Sequence, residues 1–118
     1  MDTRAPRRAK GSALGVGICL LTLALGCAAA LPEPTAAHLA RARESEPQLT
    51  LDDLTRGRSV YAGKCSGCHA LIQPDAVTAS SWPSQVDEMQ AKQGVKLTPG
   101  EERDLVRYLV VSSEVPRR

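Results

Sequence analysis

Residues 65–69 read Cys65-Ser66-Gly67-Cys68-His69, the Cys-x-x-Cys-His pattern that attaches c-type haem to a polypeptide. Two thiols are needed because each adds across one vinyl group of the macrocycle. Positions three apart share a face of a helical turn, so Cys65 and Cys68 are predicted to reach one edge of it. The adjacent His69 is then the candidate proximal iron ligand.

Three other interpretations of this motif compete with haem attachment. A zinc site would need a second pair of ligands, and no Cys or His follows His69. A thioredoxin-like redox pair would need a βαβ setting, which the sequence does not show. A chance match to so short a pattern is the third alternative.

The composition favours a small domain built around a cofactor. The chain has 118 residues, no Phe, one Trp and two Tyr, so its own aromatic core is thin. Small domains with thin cores usually need an additional stabilising element. A covalently held haem would supply a large apolar body around which the side chains pack.

Residues 1–26 have the pattern of a secretory signal. A basic start precedes an uncharged apolar stretch over residues 11–25, which is shorter than the roughly twenty residues of a transmembrane helix. Residues 24–27 are similar to a bacterial lipoprotein box, with Cys27 as the lipidated first residue. Cleavage after residues 28–30 and an uncleaved anchor are the alternatives. Each predicts a periplasmic or other extracytoplasmic location, and the first predicts a membrane-anchored lipoprotein.

The charge balance argues against nucleic acid as a partner. Residues 27–118 carry 11 basic and 12 acidic side chains, close to neutrality. A nucleic-acid-binding domain would need a strong basic patch.

The mature chain is predicted to have three parts. Prolines, alanines and mixed charges over residues 27–48 predict a flexible tether, within which a short helix over residues 36–43 is one option. His38 in this segment is interpreted as a solvated linker histidine rather than a second haem ligand. Residues 49–113 form the folded domain, and residues 114–118 are a C-terminal tail.

The folded domain is predicted to be all-α, because helical periodicity occurs without strand-like alternation. Gly57 within the first helix costs about 1 kcal/mol against Ala. Either the helix simply tolerates this cost, or another helix crosses there and needs a close approach of the two backbones. The three predicted helices run from the N-cap Thr50 into Cys65, from Ser81 to Gly94, and from the capping box of Thr98 and Glu101 onward. Their predicted packing faces are Leu51, Leu54, Arg58 and Tyr61; Trp82, Val86 and Met89; and Leu105, Val106, Tyr108 and Leu109.

Residues 50–112 resemble a class I cytochrome c. Gly57, Tyr61 and Cys65 keep that family's spacing of glycine, aromatic residue and first cysteine, and Leu105 and Tyr108 match the pair that its last helix packs at the glycine. The proline that follows the motif in the family has a counterpart in Pro74. The resemblance implies about three main helices wrapped around one covalently attached haem c.

The resemblance also implies a methionine sulfur as sixth iron ligand, before the last helix. Met89 is the only methionine besides Met1. In many members that methionine lies in an extended loop, whereas Met89 lies within a predicted helix. An open or His-ligated iron is therefore the alternative.

These features predict a monohaem one-electron carrier, not an enzyme, with iron held by His69 and Met89. Its expected partners are redox proteins in transient contact, and the membrane through a lipid on Cys27. The alternatives are an electron-transfer subunit of a larger periplasmic oxidoreductase, an open-site haem sensor or peroxidase-like protein, and a haem-free dithiol module.

Overall fold

A computed structural model of the chain describes residues 30–67 and 70–115. Within these ranges there are four α-helices and no strand, which confirms the all-α prediction for this part of the chain. The signal segment, Cys27, Cys68 and His69 lie outside the described residues. The helices are α1 (Ala36–Ala42), α2 (Leu51–Lys64), α3 (Trp82–Gln93) and α4 (Pro99–Glu114), with 3-10 turns at Pro74–Ala76 and Ala79–Ser81.

The two longest helices begin with capping boxes. The Thr50 hydroxyl accepts a hydrogen bond from the backbone N–H of Asp53, and the Asp53 carboxylate accepts one from the backbone N–H of Thr50. Thr98 and Glu101 exchange the same pair of bonds at the start of α4. Both predicted N-termini are confirmed, because the cap residues satisfy backbone donors that the first turn leaves unpaired.

The predicted ends of α3 are also confirmed. The helix starts after Ser81 and stops at Gly94, whose φ of 70° lies in the left-handed region that favours glycine. The Ser81 hydroxyl makes no cap bond and instead lies 2.7 Å from the Thr78 hydroxyl.

Helices α2 and α4 cross at Gly57. A Cβ atom at this position would lie 2.0 Å from the carbonyl oxygen of Asp104 and 2.8 Å from the Cβ atom of Tyr108. Only a residue without a side chain allows this approach, which confirms the predicted close crossing. The α2 face that packs is Leu54, Gly57 and Tyr61, while Leu51 is 39% exposed. The expectation for Leu51 was wrong, because its first-turn position lies outside the α2 packing face.

The core consists of two clusters. The larger lies around the end of α2 and contains the buried residues Tyr61, Cys65, Trp82, Val86, Leu105, Tyr108 and Leu109. The smaller contains Leu49, Leu54 and Val111. No helix in the described ranges is both long and apolar enough to cross a membrane.

Residues 31–49 are packed against α2 and α4, which differs from the expected flexible tether. The Tyr108 hydroxyl donates to the carbonyl of Pro32 at 2.9 Å, and Arg107 pairs with both carboxylate oxygens of Glu46. The Arg43 guanidinium donates to the carbonyl of Leu49 at 2.8 Å. Polar bonds to partners far along the chain hold this segment, and its own low apolar content does not reveal them.

His38 lies in α1 and is buried, so its interpretation as a solvated linker residue was wrong. The backbone N–H of Thr35 donates to Nδ1 of His38 at 3.2 Å, and the Thr35 hydroxyl lies 2.7 Å from the same atom. Because a backbone N–H can only donate, Nδ1 is the acceptor and the imidazole is neutral with its proton on Nε2. The histidine therefore completes the N-terminal cap of α1.

Gly57→Ala is expected to lower the free energy of unfolding by about 1–3 kcal/mol, because the new methyl group must displace the backbone of α4. Gly63→Ala is the matched control, since a Cβ atom there meets nothing within 4 Å on the same helix. That variant should instead gain up to about 1 kcal/mol from helix propensity. Urea unfolding of the two variants measures both values, and equal effects would contradict the crossing geometry.

The stability of the domain is expected to fall as the pH drops below about 6.5. Burial lowers the pKa of His38, so the unfolded chain takes up this proton at a higher pH than the folded domain. Stability from the neutral ring is thus fully present above pH 6.5 and is lost as the pH falls through the lowered value. His38→Gln keeps a capping-box side chain without titrating and should flatten the pH dependence of the unfolding midpoint between pH 7.5 and 5.5. An unchanged slope in that variant would contradict this role.

Candidate haem site

The described part of the Cys-x-x-Cys-His motif leaves the end of α2. Cys65 caps the helix, its backbone N–H donates to the carbonyl of Tyr61 at 3.1 Å, and residues 65–67 form a bend. Residues 65–67 therefore do not form the helical turn that was predicted to place the two thiols. Cys68 and His69 lie outside the described residues.

Cys65 and Met89 line one cavity of about 220 Å³. Tyr61 and Ile72 complete its apolar lining. Polar, exposed side chains of α3 also border it, namely Gln85, Glu88 and Gln93. The structure thus brings the first motif cysteine and the predicted sixth ligand to the same cavity between α2 and α3.

The surroundings of Cys65 keep its sulfur uncharged. The side chain is buried, and burial raises the pKa of the thiol. A thioether is also uncharged, so the same apolar environment suits the bond that haem attachment would create. Met89 is half-buried on the α3 side of the cavity. This donor set, one buried cysteine sulfur and one thioether that line the same cavity, fits a c-type haem.

Two buried aromatic side chains pack beside the cysteine. The rings of Tyr61 and Trp82 meet edge to face, with centroids 6.0 Å apart and planes at 77°. The Tyr61 hydroxyl donates to the carbonyl of Ile72 at 2.8 Å, and Trp82 Nε1 donates to the carbonyl of Pro74 at 3.2 Å. Burial raises the pKa of Tyr61 to about 12, so the phenol stays neutral.

Helical spacing in the sequence predicts Tyr61 and Trp82 as core residues but does not reveal their polar bonds. A signal was present at residue 61, where Tyr stands although Phe would fill the same space. A buried hydroxyl needs a partner, and the post-motif loop supplies it. His38, the second histidine, does not line this cavity.

Two other grooves in the described structure lack such a donor set. They run along α4 beside Glu46 and Arg107, with volumes of about 370 and 540 Å³, and neither is lined by Cys, His or Met. Among residues 30–67 and 70–115, no group of three or more His, Cys, Asp and Glu side chains could hold a metal ion.

The fold and the motif together define a small helical domain with one haem-attachment signal. A protein-family model described as dihaem cytochrome c matches residues 61–117, which is 57 of the 118 residues. The match spans the motif, α3 and α4, and it indicates a c-type cytochrome with covalently bound haem c. No match was found among curated proteins or solved structures.

The description of this family differs from the predicted monohaem class I cytochrome c in naming two haems. The 118 residues contain one Cys-x-x-Cys-His motif. The sequence contains no second motif of this kind to which another haem could be attached.

Proposed function

We propose that this chain binds one haem c and acts as a one-electron carrier outside the cytoplasmic membrane. The observation that carries the proposal is the shared cavity of Cys65 and Met89, in a stretch of chain that matches a c-type cytochrome family. Cys65 and Met89 both line that cavity, and they occur in the order along the chain that a His/Met-ligated cytochrome requires.

Four residues would hold the group. Cys65 and Cys68 would form its thioether bonds, and His69 and Met89 would be the axial ligands. Haem c bound there would supply an iron that cycles between the ferric and ferrous states. If His69 and Met89 both held the iron, they would leave no open position on it for a substrate, which would favour electron transfer over enzymatic activity.

Two aromatic side chains packed beside Cys65 favour a raised reduction potential. Tyr61 and Trp82 are buried and neutral, so they exclude water without adding charge. A thioether ligand favours the reduced iron in the same direction. The exposed side chains at the mouth, including Ile72 at 43% exposure, offer a contact surface for transient redox partners.

The proposed membrane attachment depends on Cys27. If a lipid is attached there, only residues 28–30 separate it from Leu31, whose carbonyl accepts a hydrogen bond from Arg58 at 3.4 Å. Four peptide units span about 14 Å at full extension. The packing of residues 31–49 therefore favours a domain held close to the membrane over one on a long tether.

An electron-transfer subunit of a larger oxidoreductase is the second candidate. The family description names two haems, whereas this sequence has one Cys-x-x-Cys-His motif. A second haem held by another subunit would account for the difference, which favours this candidate. The same residues would act in both settings, and the two differ in whether a stable partner accompanies the domain.

Haem stoichiometry tests the proposal. The full chain, produced in a host that matures c-type cytochromes, should give one haem per polypeptide by the pyridine haemochrome assay. Cys65→Ser and Cys68→Ser should each lower the attached haem sharply, while Cys27→Ser should keep the haem and lose the lipid mass. A folded but colourless protein would contradict the proposal, and a stable co-purifying partner would favour the subunit role.

Met89→Ala is expected to lower the reduction potential by a few tenths of a volt, within the roughly 0.8 V over which axial ligands set haem potentials. The reduced variant should also bind carbon monoxide rapidly, because one axial position is open. Gln93→Ala is the matched control, since Gln93 lines the same cavity without a sulfur. An unchanged ferric spectrum in Met89→Ala would exclude Met89 as a ligand.

A further inference from the structure

The chain that follows the haem motif is held by two buried hydrogen-bond donors. The Tyr61 hydroxyl binds the carbonyl of Ile72, and Trp82 Nε1 binds the carbonyl of Pro74. The two acceptors follow His69 by three and five positions. Both donors are therefore attached to the short segment that leads directly away from the candidate proximal ligand.

The hydroxyl of Tyr61 does more than packing requires. The ring is 2% exposed, and Phe would fill the same volume. The Ile72 side chain is largely exposed, so burial of that side chain does not fix its position. The 2.8 Å hydrogen bond to the Ile72 carbonyl holds this residue in place. If the loop moved away, the buried Tyr61 hydroxyl would lose its partner, which costs free energy.

Tyr61 also lies one helical turn before Cys65 on α2. Its side chain thus connects Ile72, after the motif, to α2, the helix that precedes the motif. Cys65 fixes the start of the motif at the helix end, and the hydroxyl fixes the chain just beyond its end. Tyr61 therefore links the last turn of α2 to the chain at Ile72.

Trp82 provides the second connection. It is the first residue of α3, seven positions before Met89, and this spacing of two turns places both on one helix face. Its indole bond to Pro74 ties the post-motif segment to the helix that carries the candidate sixth ligand. The edge-to-face contact with Tyr61 joins the two donors into one buried pair.

We propose that Tyr61 and Trp82 are positioning residues, which fix the segment after His69 against α2 and α3 and thereby set how the imidazole meets the iron. The proposal rests on the proposed haem-binding function. It adds that the hydrogen bonds to the carbonyls of Ile72 and Pro74, and not aromatic packing alone, hold the segment after His69 in a fixed position relative to Met89.

The test compares Tyr61→Phe with Tyr108→Phe in the purified holoprotein. Both tyrosines are buried and both donate to a backbone carbonyl, but the acceptor of Tyr108 is Pro32, outside the loop. Each variant loses one hydroxyl and keeps its ring, so the loss of stability should be similar. Trp82→Phe, which removes the indole N–H, is the second variant.

In Tyr61→Phe, hydrogen exchange of the peptide over residues 70–77 is expected to be about fivefold faster, as the loss of one hydrogen bond implies. The reduction potential should fall, because a loosened loop admits water near the ferric iron. Tyr108→Phe should change neither quantity, and Trp82→Phe should resemble Tyr61→Phe.

Equal exchange rates and potentials in Tyr61→Phe and Tyr108→Phe would overturn the positioning role. If Trp82→Phe does not fold, the comparison of the two tyrosine variants still decides. Haem content is measured first in the unaltered protein, so a failure of haem attachment there counts against the proposed function and is separate from this result.

Discussion

The close crossing of α2 and α4 at Gly57 determines where the candidate site can form. The Asp104 carbonyl occupies the space that a Cβ atom at this position would need, so the two helix backbones are in direct contact. Tyr61 and Cys65 follow at intervals of four, which keeps them on the same side of α2. The crossing thus brings Tyr61 and Cys65 into one cluster with Leu105 and Tyr108.

Local signals made the helix boundaries readable from the sequence. Thr50 and Thr98 cap their helices through side chains three residues on, and Gly94 ends α3 with a left-handed backbone. The glycine that weakens α2 locally allowed two interpretations, simple tolerance or a crossing helix, and the resemblance to class I cytochrome c favoured the crossing. These features depend on near neighbours or on one conformational requirement, so a single sequence reveals them.

Long-range polar contacts could not be predicted in the same way. Pro32 and Glu46 are held by Tyr108 and Arg107, which lie 76 and 61 positions further along the chain. The segment that contains them has the composition of a linker, and nothing in its own pattern names those partners. The capping role of His38 was missed for a related reason, since His at the third helical position is a less familiar reciprocal cap than Glu or Gln.

The candidate site and the main core share the same residues. Tyr61, Cys65 and Trp82 belong to the larger buried cluster, and Tyr61 and Cys65 also line the cavity. A group bound there would contact side chains that also hold α2, α3 and α4 together, so its binding and the folding of the domain are thermodynamically linked. A chain with three aromatic residues and no Phe has little apolar surface in reserve. Removing the Tyr61 hydroxyl while keeping its ring therefore separates the placement of the loop from the packing of the core, which the same residue otherwise serves together.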